Sequence, residues 1–320
     1  MSMESFSSAF AAAQQWLFES LIQPFMFNFG MGNLLEDGYA ATGWLLVGMI
    51  QIAVLLLIIG PLQRWRPVEA LTDRGTVHVD MLYTLIHRLG LFRLVLFFSL
   101  DPLFDGLFGA LRVAGLSTFH LDALWPGVTD QALVSLVIYL VALDLLNYAV
   151  HRGQHRFDWW WKLHSLHHAQ RQMTMWSDNR NHLLDDVLRD VFVVVVAQLI
   201  GIAPSQFVVI VALTQLSESF QHANLRIWFG RWGERLWISP RFHRMHHSVG
   251  LGHEAAGQNT QDGQNFGVLL PWWDMLFGTA NFELRFEPTG VRDQLEQGRD
   301  YGRGFWSQQW LGLKRLAGRA

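Results

Sequence analysis

An apolar run that ends in histidines constrains this chain more than any other feature. Residues 131–150, QALVSLVIYLVALDLLNYAV, supply 20 residues, enough for a helix of roughly 30 Å that crosses a hydrocarbon core. The run passes straight into HRGQHRFDWWWKLHSLHH. His151 and His155 stand four apart, so both imidazoles leave one helix face. His164, His167 and His168 follow in an H-x2-HH pattern, and RFHRMHH repeats it with His243, His246 and His247. A single histidine on a polar face is normally just solvated. Three clusters beside membrane segments read instead as a ligand set, because imidazole suits iron, copper, zinc or nickel. Eight neutral rings are too many for one ion, so two shared metals fit the arithmetic better.

Of the 320 residues, 51% are hydrophobic and 16% charged, which is more apolar and less charged than a soluble protein. The expectation is an all-α integral membrane helical bundle of about four to five spanning segments with a cytoplasmic histidine-rich helical cap. With no cysteine, disulfides and thiolate metal sites are excluded. A net charge of -3 offers no field for nucleic acid. Among fifteen tryptophans, Trp159, Trp160, Trp161, Trp232, Trp237, Trp272 and Trp273 group in a way that suits headgroup depth.

Residues 1–30 contain no lysine or arginine, which argues against a secretory signal, and 11–29 read as an interfacial helix. A first crossing falls at 41–62. Arg64, Arg66 and Arg74 follow it, so the positive-inside rule places the N-terminus outside. Residues 89–116 are apolar but interrupted by Arg93, Asp101, Pro102, Asp105 and Arg112 and read as one irregular crossing. The 131–150 span ends in Arg152, Arg156 and Lys162 on the inner side.

Gly201, Ala203 and Pro204 then stop and restart a helix, giving a hairpin of 183–201 and 205–222. A single span here would strand His243 on the opposite membrane face from His151. The hairpin instead returns the chain to the side where Arg226, Arg231, Arg235, Arg241 and Arg244 collect. The division is 1–130 for the first membrane helices, 131–280 for a catalytic domain and 281–320 for a cytoplasmic surface tail, whose last part reads as a helix lying against the cap. His78, His87 and His120 have no clustered neighbours and read as core or interfacial.

Two more histidines improve the ligand count. His222 lies where the second hairpin helix emerges, with Glu218 one turn earlier, and His182 precedes the first, followed by Asp185 and Asp186. Metals held by neutral rings keep their charge, so Asp144, Asn147, Asp178, Asp185, Asp186 and Glu218 are expected around the ligands, orienting imidazoles through their outer nitrogens. Asp144 and Asn147 carry most weight, since polar side chains inside a membrane helix are costly.

The order H-x3-H, H-x2-HH, H-x2-HH, with FQHANL at 220–225, NFG at 265–267 and WWDMLFGT at 272–279, resembles the fatty acid hydroxylase and sterol desaturase superfamily over about residues 131–280. That resemblance implies a membrane-bound non-haem diiron oxygenase holding two Fe ions, with dioxygen as co-substrate. It would hydroxylate or desaturate an unactivated C–H bond of a lipid such as a sterol, fatty acyl chain or sphingoid base. Its ligands would be His151, His155, His164, His167, His168, His243, His246 and His247, with His222 as a ninth and His182 as a further candidate. Electrons would come from a separate ferredoxin, or a cytochrome with its reductase, since the sequence shows no flavin, haem or iron-sulfur motif.

Two features depart from the family pattern. Residues 248–264 are long and add His253 and Glu254, read as a surface loop in preference to a lid. Residues 218–226 carry one histidine where hydroxylases of very-long-chain fatty acids carry two, leaving Glu218 as a candidate oxygen ligand. Rival readings are an acyl-CoA desaturase, a carotenoid hydroxylase, or a non-catalytic metal-binding protein or transporter. A transporter would carry its histidines and carboxylates within the spans. No endoplasmic-reticulum retrieval signal is present, consistent with a bacterial inner membrane and a cytoplasmic histidine cap.

Overall fold

The structure, a computed structural model, describes residues 3–249 and 263–319; His253 and Glu254 lie outside the described residues. It is all-helical: among those residues the only β feature is an isolated antiparallel bridge between Ser248 and Thr289. The chain divides into two compact units, Met1–Val54 with Leu85–Leu107 and Leu55–Thr84 with Phe108–Ala320.

In the first unit the helix Met3–Leu17 runs through a π turn, Phe18–Ile22, into Gln23–Asn28. Leu35–Val54 follows, and Gly48 there is required by space, since a Cβ would stand 1.7 Å from the Arg88 carbonyl oxygen. Arg93 lies over the Trp44 ring at 4.0 Å, a cation–π contact that gives the guanidinium a partner on an apolar helix. Phe25, Phe27, Phe29, Leu94, Val95 and Phe98 stay exposed, as expected of lipid-facing surface.

The second unit is arranged along Ala132–Arg156. Its buried residues Asp144, Asn147, Tyr148, His151 and His155 recur at three- and four-residue intervals and so share a face. Asp158–His168 packs on it and on the C-terminal helix Phe305–Leu316. The predicted hairpin is present as Leu183–Leu199 and Pro204–His222. Gly201, at φ 70°, makes the turn, and a Cβ there would meet the Phe119 carbonyl oxygen at 2.2 Å. Tyr139, Leu143, Leu121 and Ile210 form the apolar core beneath it.

Three expectations change. Among the described residues, two helices are long and apolar enough to cross a membrane, Gly32–Trp65 and Ala132–Arg156, or three if the bent pair Arg74–Arg88 and Leu91–Ser99 is one span. That is fewer than four to five. Leu183–Leu199 has only 17 residues, and Pro204–His222 carries Gln206, Gln215, Glu218 and Gln221. The region 89–116, expected as one irregular crossing, is two helices, Leu91–Ser99 and Asp101–Val113, broken at Leu100, with Pro102 free to open the second helix. The end of the chain does form a helix lying against Asp158–His168, Phe305–Leu316, but it is more deeply packed than a surface tail. Tyr301, Phe305, Gln308, Gln309 and Arg315 are buried, and Arg315 Nε donates to the Lys162 carbonyl at 3.2 Å.

The tryptophans also divide. Trp159, Trp232 and Trp272 are exposed, whereas Trp160 and Trp273 spend their indole N–H groups on Asp185 (2.7 Å) and Asp144 (3.0 Å). Those two serve the interior, not the headgroup layer.

Candidate metal centre

Neighbouring histidines on one helix diverge by about 100°, so each H-x2-HH motif serves two places at once. Nitrogens of His151, His155, His164 and His168 lie within 4.8 Å of one another, and so do those of His167, His222, His243 and His247. His168, His246 and His247 form a third set that joins the two. The second motif is thereby split, with His164 and His168 in the first group and His167 in the second. All nine rings are buried. His78, His87 and His120 join none of these groups.

The outer nitrogens show how the rings are aimed. His151 Nδ1 lies 2.8 Å from the Phe266 carbonyl, His246 Nδ1 2.7 Å from that of Gln264 and His222 Nδ1 2.8 Å from that of Glu218. A carbonyl only accepts, so each Nδ1 carries the proton and each Nε2 keeps a lone pair for the centre. His164 Nδ1 is held the same way by the Asp185 carboxylate at 3.0 Å, and its Nε2 is buried without a hydrogen-bond partner. Asp185 is itself fixed by Gln154 Nε2 (2.8 Å) and Trp160 Nε1.

The motifs beyond the histidines explain the carbonyls. Asn265 adopts φ 58°, which asparagine tolerates better than most side chains. Its amide donates to the Phe242 carbonyl at 2.9 Å. Asp274 accepts the backbone N–H groups of Phe266 and Gly267, both at 2.8 Å, and the Thr279 hydroxyl at 2.6 Å. A Cβ at Gly267 would lie 2.7 Å from Ile238 and 2.8 Å from Asp274, so only glycine fits. NFG and WWDMLFGT together thus present the 264 and 266 carbonyls to His246 and His151. Burial pushes the Asp274 carboxyl up to about 6, against those hydrogen bonds. Ser239 caps Pro240–His246 by accepting from Phe242 N–H at 3.1 Å, with Pro240 at the first helical position. The fully buried Arg241–Glu234 ion pair lies beside that cap.

The donor set fits a transition metal. His222 Nε2 stands 3.1 Å from Nε2 of both His167 and His243, and His243 Nε2 stands 3.1 Å from that of His247. Imidazole nitrogens bind such ions at roughly 2.0–2.1 Å, so two on one ion at a right angle stand about 3 Å apart. Burial first, then neighbouring rings, drives His167, His168, His243 and His247 well below the usual imidazole range. They are therefore held neutral, the state in which they ligate.

Several expected roles are corrected. His182 is not among the converging rings: its Nδ1 accepts from Leu184 N–H at 3.1 Å, capping the helix, and its Nε2 faces the Gln309 carbonyl at 2.9 Å. Asp144 orients no imidazole but accepts the N–H groups of Leu269 (2.8 Å) and Leu270 (3.1 Å) and the indole of Trp273. Glu218 pairs with Arg189 at 3.1 Å and serves His222 through its backbone oxygen, so its carboxylate is spoken for. Asp178 takes the Ser219 hydroxyl at 2.8 Å. Asn147 and Asp186 border a small cavity between the groups. Of the carboxylates singled out from the sequence, Asp185 alone is seen to orient a ligand among the described contacts. Gln154, Trp160, Gln221 and Asp274 were not anticipated, though Asp274 lies in a motif that was.

A histidine-lined centre at the end of a helix apolar enough to span a bilayer defines a membrane protein with a donor set suited to transition metals. The fatty acid hydroxylase family model matches residues 136–279. The ornithine lipid hydroxylase of Rhizobium tropici is 28% identical over 167 residues, 52% of this chain and 47% of that protein. A fatty acid hydroxylase of Lecanicillium sp is 24% identical over 174 residues, 50% of this chain and 45% of the relative. The alkylglycerol monooxygenase of Caenorhabditis elegans is 25% identical over 146 residues, 45% and 26% of the two chains. The aligned part spans less than half of each relative, and no solved structure matches. Residues 136–279, which hold the converging histidines, belong to the fatty acid hydroxylase and sterol desaturase superfamily.

Proposed function

We propose that this protein is a membrane-bound lipid hydroxylase of the non-haem diiron type, with catalysis carried by residues 131–280. The observation that carries the reading is the convergence of nine histidines, drawn from separate segments, eight in two adjoining four-ring groups and the ninth, His246, beside rings of both. His151, His155, His164 and His168 would hold one iron and His167, His222, His243 and His247 the other, with His246 at the junction. When bound, the metals supply the dioxygen activation needed to oxidise an unactivated C–H bond, which no side chain here achieves alone.

The chain's own contribution is position and exclusion. Asp185 and the carbonyls of Phe266, Gln264 and Glu218 keep protons on the outer nitrogens, so the inner lone pairs face the centre at neutral pH. The buried surround keeps bulk water from an oxidising site. The Ala132–Arg156 helix and the shorter hairpin would let a lipid approach from the bilayer while the histidine cap faces the cytoplasm of a bacterial inner membrane. A separate ferredoxin or cytochrome with its reductase would supply electrons. A second hydrogen abstraction in place of hydroxylation would make the same centre a desaturase.

The test is metal analysis of the purified protein, followed by dioxygen consumption with a chemical reductant and lipid extract. Bound iron with lipid-dependent dioxygen uptake and a product sixteen mass units heavier is expected. Tightly bound metal that never consumes dioxygen would contradict the enzyme and favour a metal-binding scaffold.

A further inference from the structure

A small cavity of about 40 Å³ lies between the histidine groups. It has room for a few water-sized groups. His151 and His164 of the first group and His167, His222 and His243 of the second share its lining, so it faces both halves of the centre.

Two other lining residues carry an unmet demand. Gln221 is 1% exposed and Asn147 8%. Gln221 Nε2 donates to the Val268 carbonyl at 2.7 Å and the Ser217 hydroxyl at 2.9 Å. Those bonds fix the amide and leave Oε1 without a hydrogen-bond partner. Asn147 Oδ1 is likewise buried without one. Buried amide oxygens are ordinarily satisfied, and leaving them unpaired is costly. The cavity therefore calls for hydrogen-bond donors, which a wholly hydrocarbon substrate lacks. Asn147 also sits one turn before His151 on the same face, about 6 Å along the helix axis, so a donor held there lies next to the metal ligands.

We infer that Asn147 and Gln221 accept hydrogen bonds from a hydroxyl or N–H group of the lipid and so place the neighbouring carbon at the metal centre. This rests on the hydroxylase reading and narrows its substrates to lipids oxidised beside a donor-bearing polar group, not in mid-chain. Asn147 and Gln221 are then specificity-determining residues, since a site built to pair a donor rejects an analogue lacking it.

The test is a tryptophan-fluorescence titration of the metal-loaded, full-length protein in micelles. The probes are 1-O-hexadecylglycerol, which carries free hydroxyls, and its di-O-methyl counterpart, which does not. The wild type should bind the diol at least about tenfold more tightly. Asn147→Leu and Gln221→Leu should each reduce that preference to about twofold or less, with metal content and ether binding unchanged. No hydrogen bond of the Asn147 side chain is found among the described residues, so its variant tests the inference even if Gln221→Leu disturbs the Val268 contact. Equal binding of diol and ether by the wild type, or full preference in Asn147→Leu, would overturn it. A preserved preference without turnover would count against the hydroxylase reading alone.

Discussion

The two histidine groups reach similar arrangements by different means. In the first, His164 is held by a carboxylate that Gln154 and Trp160 hold in turn, and His151 by a backbone carbonyl fixed through Asp274. In the second, His222 has an outer acceptor, but Nδ1 of His167, His243 and His247 is buried with no hydrogen-bond partner among the described contacts. The inner nitrogens there lie against one another instead. The fold by itself therefore orders the first group. The second needs an ion to define it, and that contrast can be broken by experiment.

The largest effect should come from ligand loss in the second group. His243→Ala should remove about one of two metals per chain and all turnover while the first group stays loaded, measured by metal analysis of purified protein. Full loading would show that the second group binds nothing. Asp185→Asn keeps the size of the side chain but weakens the orienting bond to His164. It should cost roughly 10–100-fold in metal affinity for the first group alone, measured by competition with a chelator; equal weakening of both ions would erase the distinction.

Acidification comes next. His167, His243 and His247 have folded-state values below the ordinary 6.5, so below that pH the unfolded chain binds more protons than the folded one. Stability of the metal-free protein should then be full above about pH 6.5 and fall as pH drops, seen as a lower thermal midpoint at about pH 5 than at about pH 7.5. A flat profile would mean these rings are not buried neutral. Chelation should raise amide exchange at 240–247 more than at 151–155. The smallest effect is expected at His182, which caps a helix: His182→Ala should cost about 1 kcal/mol of stability and leave both metals in place.

Much of this was legible in the sequence because ligand spacing is a local property. The H-x3-H and H-x2-HH patterns specify helix faces, and Gly201 with Pro204 marks the hairpin turn, so the convergence of the boxes could be argued without coordinates. The orienting groups were harder to read. Asp144, Asp178, Glu218 and Asp185 look alike in sequence, and only packing shows that Asp144 holds the 269–270 backbone, Glu218 an arginine and Asp185 an imidazole. The carbonyls of Gln264 and Phe266 leave no mark in residue identity at all; their signal is indirect, in the asparagine and glycine that flank Phe266. His182 misled for the same reason, since a cap and a ligand differ only in where the lone pairs point. Span count was harder to read, because an apolar run shorter than the bilayer can still pair its backbone as a hairpin against neighbouring helices.

X-ray absorption at the iron edge of the reconstituted wild type, with metal quantified on the same sample, tests the central claim most directly. The account predicts about two irons per chain, each with an imidazole-dominated shell, and an iron–iron distance of roughly 3.5–4 Å. A single ion per chain, or irons too far apart to detect one another, would contradict it.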